Sequence, residues 1–334
     1  MKYDIITIGG ATEDITFSTS EGILIDNQKD LLRQKLLAFE YGAKIKIDSS
    51  YSSFGGGAAN TAVCFSHFGF KVACIVAVGR DSRGERIIKN LKDQGVDTGL
   101  VQKINQTETG YSFLLVGPSH EHIVFSNRAA NNKLRMSNDD LRNLKQTKWI
   151  YLTSLSGKWQ DVVLKLFSIK NVNIAWNPGH RQILTGVKTI GNYLSKTTVL
   201  IVNKDEAIEL VMSIKEYKKK ESNFFRNSRN LLLALKSVGI KIVVITNGKN
   251  GADAYDGKRI YYQAVVKERK RVNTTGVGDA FGSSFIAGLE LFNGDIKQAM
   301  YLGALNTSSV VSHNGAQNGL LTKRDIVKVF KSKK

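Results

Sequence analysis

Short apolar runs alternate with helical patterns along most of this 334-residue chain, and that alternation restricts its fold more than any other feature. Tyr3–Ile8, Lys71–Val78, Trp149–Thr153, Asn171–Trp176, Thr198–Val202 and Lys241–Thr246 read as strands. Gly57–Phe68 and Ser82–Gln94 read as helices, the second with Ile87, Ile88 and Leu91 on one face. A strand that rejoins its sheet in parallel needs a crossover. The alternation therefore predicts βαβ units, an α/β fold and a mostly parallel sheet with helices on both faces.

Two segments interrupt the pattern. Ile15–Ser53 holds strand-like Ile23–Ile25 and Lys44–Ile47 around an amphipathic stretch with Leu31, Leu32, Lys35, Leu36 and Phe39. Thr109–Phe125 reads as two strands around Gly117-Pro118-Ser119. Short antiparallel strands inserted early in an α/β chain predict a small sheet over one end of the main body, a common way to keep water from a site. Lys215–Asn230 is polar and basic, and reads as a surface helix pair or insertion.

Composition excludes several classes. With 42% hydrophobic and 23% charged residues the chain is not disordered. Its longest apolar runs fall far short of the ~20 residues of a membrane span. The opening Met1–Gly10 reads as a short strand rather than a signal peptide, and Cys64 and Cys74 sit in apolar surroundings as reduced core thiols, which together predict a cytoplasmic protein. The net charge of +19 permits an anionic partner. Its clusters at Lys215–Lys220, Lys267–Arg271 and Lys328–Lys334 lack the interleaved aromatics of a single-strand surface, so nucleic acid is not expected as a partner.

Two glycine-rich segments carry the chemistry. Asn273-Thr274-Thr275-Gly276-Val277-Gly278-Asp279 leads into a helix that starts near Gly276. Glycines there let backbone N–H groups approach a ligand, and a helix N-terminus attracts phosphate. A carboxylate at such a place, Asp279, suits proton abstraction from a nearby hydroxyl, or else simple stabilisation of the helix dipole. Gly55-Gly56-Gly57-Ala58-Ala59-Asn60 also precedes a helix, and Asn60 can donate and accept. Other motifs fail: Gly79–Arg86 has Glu85-Arg86 where a P-loop needs Lys and Ser or Thr, Gly9-Gly10 lacks the dinucleotide fingerprint, and His120-Glu121-His122 is not a closed metal set.

From Tyr3 to about Leu321 the chain resembles the ribokinase, or PfkB, family of sugar and nucleoside kinases. Gly55–Asn60 with Gly69 is similar to the family's first signature and Asn273–Asp279 to its second. Asn203-Lys204-Asp205-Glu206 and Thr246-Asn247-Gly248-Lys249-Asn250-Gly251 are similar to two further motifs, in the family's order. The resemblance implies a ribokinase-like three-layer α/β/α sandwich with a mostly parallel central sheet and a small β-sheet lid. It implies one kinase domain over 1–334, with lid insertions at about 12–53 and 109–128.

It also implies roles. Asp279 matches the base that takes the acceptor's hydroxyl proton, and Gly276, Val277 and Gly278 match the anion hole. Asp14, Gly56, Gly57 and Asn60 match acceptor-binding positions, with Arg128 where the lid strand returns. Asn203 and Glu206 match residues that organise Mg2+ and its waters beside ATP, with no direct metal ligand assigned. Thr246, Gly248 and Gly251 match the nucleotide loop, and Asn306 falls where the family lines the adenine pocket. Where many members carry an Asp beside a monovalent cation this chain has Asn273, which leaves potassium activation open. Family members often dimerise through the lid, and the apolar stretch Ile15–Ile25 permits that.

The expected activity is ATP-dependent phosphorylation of a hydroxymethyl group on a small sugar or polyol. The alternative is a nucleoside kinase of the same family, with Phe17, Phe54 and Phe125 as a shelf for the base. A remote alternative is a sugar sensor or nucleic-acid binder on the same scaffold.

Overall fold

The computed structural model describes residues 2–27, 35–117, 122–268 and 270–331. In chain order the first strands are β1 (Ile5–Ile8), β2 (Thr12–Ser18), β3 (Ile23–Asp26), β4 (Lys35–Ala38) and β5 (Ser49–Gly55). After the helix Gly57–His67 come β6 (Val72–Ile75) and β7 (Ala77–Gly79), the helix Ser82–Asp93, then β8 (Gln102–Ile104), β9 (Tyr111–Val116) and β10 (His122–Asn127). The second half supplies β11 (Trp149–Leu152), β12 (Asn173–Trp176), β13 (Val199–Asn203), β14 (Ile242–Thr246), β15 (Ala252–Tyr255) and β16 (Ile260–Gln263).

The central sheet runs β16-β15-β14-β13-β12-β11-β1-β6, parallel from β14 to β6 with an antiparallel edge at β15 and β16. Strand alternation sends Ile6, Ile8, Leu200, Val202, Val243 and Ile245 into one core and Ile5, Ile201 and Val244 into the other. The first core is closed by helices Trp159–Leu166, Gly186–Leu194, Lys204–Met212 and Ser228–Lys236, and the second by Gly57–His67, Val277–Leu291 and Ile296–Val311. This is the expected three-layer α/β/α arrangement. Gly288 lies against Ala299, where an added Cβ would stand 2.6 Å from the Ala299 Cα, so the last two of these helices touch backbone to backbone.

A side sheet, β10-β9-β2-β5, forms from the two interrupting segments, and β3 pairs with β4 beside it. Within it β2 and β9 run parallel while β2–β5 and β9–β10 are antiparallel. Asp14, Thr16, Tyr51, Ser53 and Ser112 share one face by register, and Ile15, Phe17, Phe113 and Phe125 share the other.

Local structure departs from the sequence reading in three places. Lys71–Val78 is two strands, because β7 leaves the central sheet and pairs with β8; both halves are buried, so periodicity gave no sign of the switch. Lys44–Ile47 is irregular, and the strand there is β5. Within the amphipathic stretch 35–38 is strand β4, whereas Leu31 and Leu32 lie outside the described residues, as do His120 and Glu121. Among the described residues no helix is long and apolar enough to cross a membrane. Cys64 and Cys74 are buried free thiols, pushed up by burial to about 11 and about 12.

Candidate active site

Residues at the carboxyl ends of β12, β13 and β14 line one cleft with the turn before the helix Val277–Leu291, the usual crevice of an open α/β sheet, and Tyr51 of the side sheet bonds to that turn at Asn273. There the helix Val277–Leu291 begins at Gly276, whose left-handed φ of +75° suits glycine. A Cβ at Gly276 would stand 2.3 Å from the Ala316 Cβ, so sterics exclude any other residue twice over. A Cβ at Gly278 would meet nothing within 4 Å, leaving the first turn open to a ligand. First-turn N–H groups have no partner within their helix, so this end presents donors and partial positive charge to a cleft of about 210 Å³. Asn177, Asn203, Glu206, Thr246, Thr274 and the Gly276–Asp279 turn line that cleft.

Asp279 is the third residue of this helix. Burial pushes its carboxyl up to about 6; the hydrogen bond from Asn60 opposes that, and the charge of Asp14 adds to it. Asn60 Nδ2 donates to Asp279 Oδ2 at 2.8 Å, while Asn60 Oδ1 accepts from Gln317 Nε2 at 3.1 Å. Gln317 in turn accepts from Asn90 Nδ2 at 2.8 Å. This chain sets which end of the Asn60 amide faces the carboxylate.

Asp14 is buried on β2 and accepts from Thr12 Oγ1 at 2.8 Å. It fits because residue 55 is glycine: a Cβ there would stand 1.9 Å from Asp14 Oδ2. Gly56 caps the Gly57 helix at φ +90°, and Gly57 starts it. Arg128 follows β10 at the surface; surrounding protein lowers its pKa, the Asp14 carboxylate opposes this, and Arg181 reinforces it. Asp14, Asn60 and Asp279 thus come together across three elements far apart in sequence.

On the other side of the cleft Asn203 and Glu206 form a capping box for helix Lys204–Met212. Asn203 Oδ1 accepts from the Glu206 N–H at 2.9 Å and Glu206 Oε2 from the Asn203 N–H at 2.8 Å. Burial pushes Glu206 up to about 7; the hydrogen bond from the Asn203 N–H opposes that, and the charges of Glu209 and Asp205 add to it. Among the described residues no cluster of three or more metal-ligating side chains occurs. Thr246 ends β14 opposite Asn203 in register and lines the cleft. Gly248 and Gly251 lie one turn further on and do not line it; Gly251 is needed for the turn itself, at φ +80° and with its Cβ position 2.2 Å from the Gln263 oxygen.

Asn306 departs from expectation. It is 0% exposed, donates to Ser284 Oγ at 2.7 Å and Cys64 Sγ at 3.2 Å, and accepts from the Leu321 N–H at 2.8 Å. Both amide hydrogens and one lone pair of Oδ1 are engaged inside the helix layer, and the side chain is buried there. Asn273 is likewise committed: Oδ1 accepts from the Thr275 N–H and Nδ2 donates to the Tyr51 hydroxyl, both at 2.6 Å. Its Oδ1 keeps one lone pair but carries no charge, so it would attract a monovalent cation less than the carboxylate of an Asp there. Gln317, Asn177 and Tyr51 escaped the sequence reading; the turn-rich run Asn314–Gly319 was the available signal for the first.

Comparison with known proteins accords with this geometry. The model of the pfkB family carbohydrate kinases matches residues 28–323. The chain is 27% identical to a 5-dehydro-2-deoxygluconokinase of Clostridium botulinum, over 84% of each chain. Arabidopsis thaliana ribokinase complexed with ribose and ATP superposes with a TM-score of 0.79 over 99% of both chains at 19% identity. Burkholderia thailandensis nucleoside kinase in complex with inosine does so at 0.77 over 98% of both at 16%. The protein belongs to the pfkB family of carbohydrate kinases and is a phosphotransferase.

Proposed function

We propose that the protein transfers the γ-phosphoryl of ATP to a hydroxymethyl group of a small sugar or related polyol. Asp279 takes the hydroxyl proton; the freed oxygen forms a bond to the γ-phosphorus as the bond to the ADP oxygen breaks. The N–H groups of Gly276, Val277 and Gly278 stabilise the charge on the transferring group. Asp14 and Asn60 hold acceptor hydroxyls beside the Gly56-Gly57 turn, and Arg128 reaches the acceptor from the rim. Asn203 and Glu206 order the waters of Mg2+, which supplies charge neutralisation to the phosphates when bound, and Thr246 borders the nucleotide. The side sheet acts as a lid over one domain.

One observation carries this reading: an Asp with a raised pKa stands in the open first turn of a helix, hydrogen-bonded to Asn60 and near Asp14. The nucleoside alternative loses its base shelf, since Phe17 and Phe125 lie on the face of the side sheet opposite Asp14, and Phe54 packs against the core. That outer face, with Phe113 37%, Ile123 38% and Phe125 57% exposed, suits a second copy of this chain, tested by light scattering. The test of function is ADP release with Mg2+ and ATP across ribose, fructose, fructose phosphates, 2-keto-3-deoxygluconate, adenosine, cytidine and inosine. A sugar signal that vanishes in Asp279→Asn supports the proposal; a signal with nucleosides alone overturns the acceptor class.

A further inference from the structure

The bond between Tyr51 and Asn273 crosses between two parts of the molecule that the chemistry would need to align. Tyr51 lies in the middle of β5, opposite Thr16 of β2 and on the Asp14 face of the lid. Its hydroxyl accepts from Asn273 Nδ2 at 2.6 Å. Asn273 is 5% exposed, and its backbone N–H donates to the Val311 oxygen at 3.2 Å, so its position is tied to the body of the protein. Its Oδ1 takes the Thr275 N–H at 2.6 Å and so shapes the turn that ends at Gly276. A second contact runs alongside: a Cβ on Gly315 would stand 3.0 Å from the Ser53 Cβ, and the next residue, Ala316, packs on Gly276.

β5 also ends in the acceptor turn, since Gly55 is its last residue and Gly56 caps the Gly57 helix. One strand therefore carries the acceptor turn at its end and grips the phosphoryl loop from its middle. Resting on the kinase reading above, we propose that Tyr51 and Asn273 form a latch that sets the Gly276–Gly278 loop according to the position of the lid. Both are positioning residues: neither touches a reacting atom, and both act through the loop between them. Lid closure over an acceptor draws on Asn273 and orders the anion hole; nucleotide in the anion hole in turn steadies β5. Such coupling is reciprocal by thermodynamic necessity. A hydrogen bond between two rigid elements is enough to carry it, because the bond is made in only one relative position of the two.

Hydrogen exchange with Mg2+ and the non-hydrolysable analogue AMP-PNP tests this without an acceptor. In the wild type, analogue binding slows exchange of the amides of 49–55, which line no part of the nucleotide cleft. Tyr51→Phe keeps the ring and removes the hydroxyl. We expect the induced protection of 49–55 to fall about fivefold in this variant while analogue affinity changes less than about twofold. With an acceptor from the panel, kcat falls and acceptor KM stays near its starting value. Ser52→Ala, on the other face of the same strand, keeps full protection. A Tyr51→Phe protein that binds the analogue and protects 49–55 as the wild type does overturns the latch and leaves the kinase reading standing. A wild type that does not bind the analogue overturns both.

Discussion

Asn60 donates its side-chain amide to the Asp279 carboxylate across 2.8 Å, joining the start of one helix to the start of another 219 residues later. That bond favours the charged carboxylate, whereas burial and Asp14 favour the neutral acid. The balance leaves Asp279 at about 6, where a base is free at neutral pH yet holds a proton well. kcat/KM is therefore expected to rise with pH through a midpoint near 6. Asn60→Ala removes the opposing donor, so the limb moves to higher pH and the rate at pH 7 drops about tenfold. A pH profile of both proteins decides it; an unmoved limb would assign the midpoint to another group.

Asp279→Asn is expected to abolish transfer, by about a thousandfold or more, and to stabilise the fold at neutral pH. The folded-state pKa of about 6 lies above the ordinary value of 3.8 for an exposed aspartate. The folded protein thus holds a proton that the unfolded chain has released between those values, and its stability falls as pH rises across that window. Above it the full penalty is present, and the neutral amide relieves it, by about 3 kcal/mol. Thermal melts at pH 8 and pH 4 check the sign: the variant melts higher at pH 8, and the gap closes at pH 4.

Gly276→Ala places a Cβ on a left-handed residue against Ala316. The backbone conformation alone costs about 1–2 kcal/mol, and the clash adds to it. Lower denaturant midpoints and weaker nucleotide binding are expected together. A variant that binds nucleotide normally would show that this turn does not receive the phosphates.

Asn306→Ala leaves the Leu321 N–H and the Ser284 hydroxyl without their partner in a dry layer. A loss of about 2 kcal/mol of stability is expected, with KM for ATP unchanged. A large rise in that KM at intact stability would restore Asn306 to the nucleotide pocket.

The committed amide of Asn273 predicts turnover that is the same in potassium and in tetramethylammonium salts. Asn273→Asp sets a negative charge beside the Gly276 turn, which repels the transferring phosphoryl. Its turnover is expected to fall in tetramethylammonium and to recover in potassium. Equal rates for this variant in both salts would show that no cation reaches the loop.

Much of the central body was legible in the chain. β1, β11, β12, β13 and β14 lie within two residues of their expected bounds at each end, since a strand covered on both faces is written as an unbroken apolar run. The helix at Gly57 and the Gly276 turn were legible through their glycines. β5 was not: Ser49-Ser50-Tyr51-Ser52-Ser53 has no apolar alternation, because its inner face meets Asn273 and Gly315 through Tyr51 and Ser53 rather than an apolar core. Asn203 and Glu206 were visible as a pair through the family resemblance that implied a metal neighbourhood, and their spacing is also that of a helix cap, which the structure contains. Asn306 was named through the family resemblance, which marks a segment but not the direction of one side chain, and in the structure its amide pairs inside the helix layer. Gln317 acts only through a long-range contact to Asn60, which sequence spacing does not encode.

The alternation of side chains along β2 has a wider implication. Asp14 and Ile15 are neighbours in the chain, yet one lies on the polar inner face and the other on the apolar outer face of the same four strands. Inserting a single residue ahead of them would exchange the two surfaces wholesale, turning carboxylate outward and aromatics inward. Divergence of this side sheet is therefore confined to even-numbered insertions, to loop tips or to point replacements, and its two faces can be altered separately only one side chain at a time.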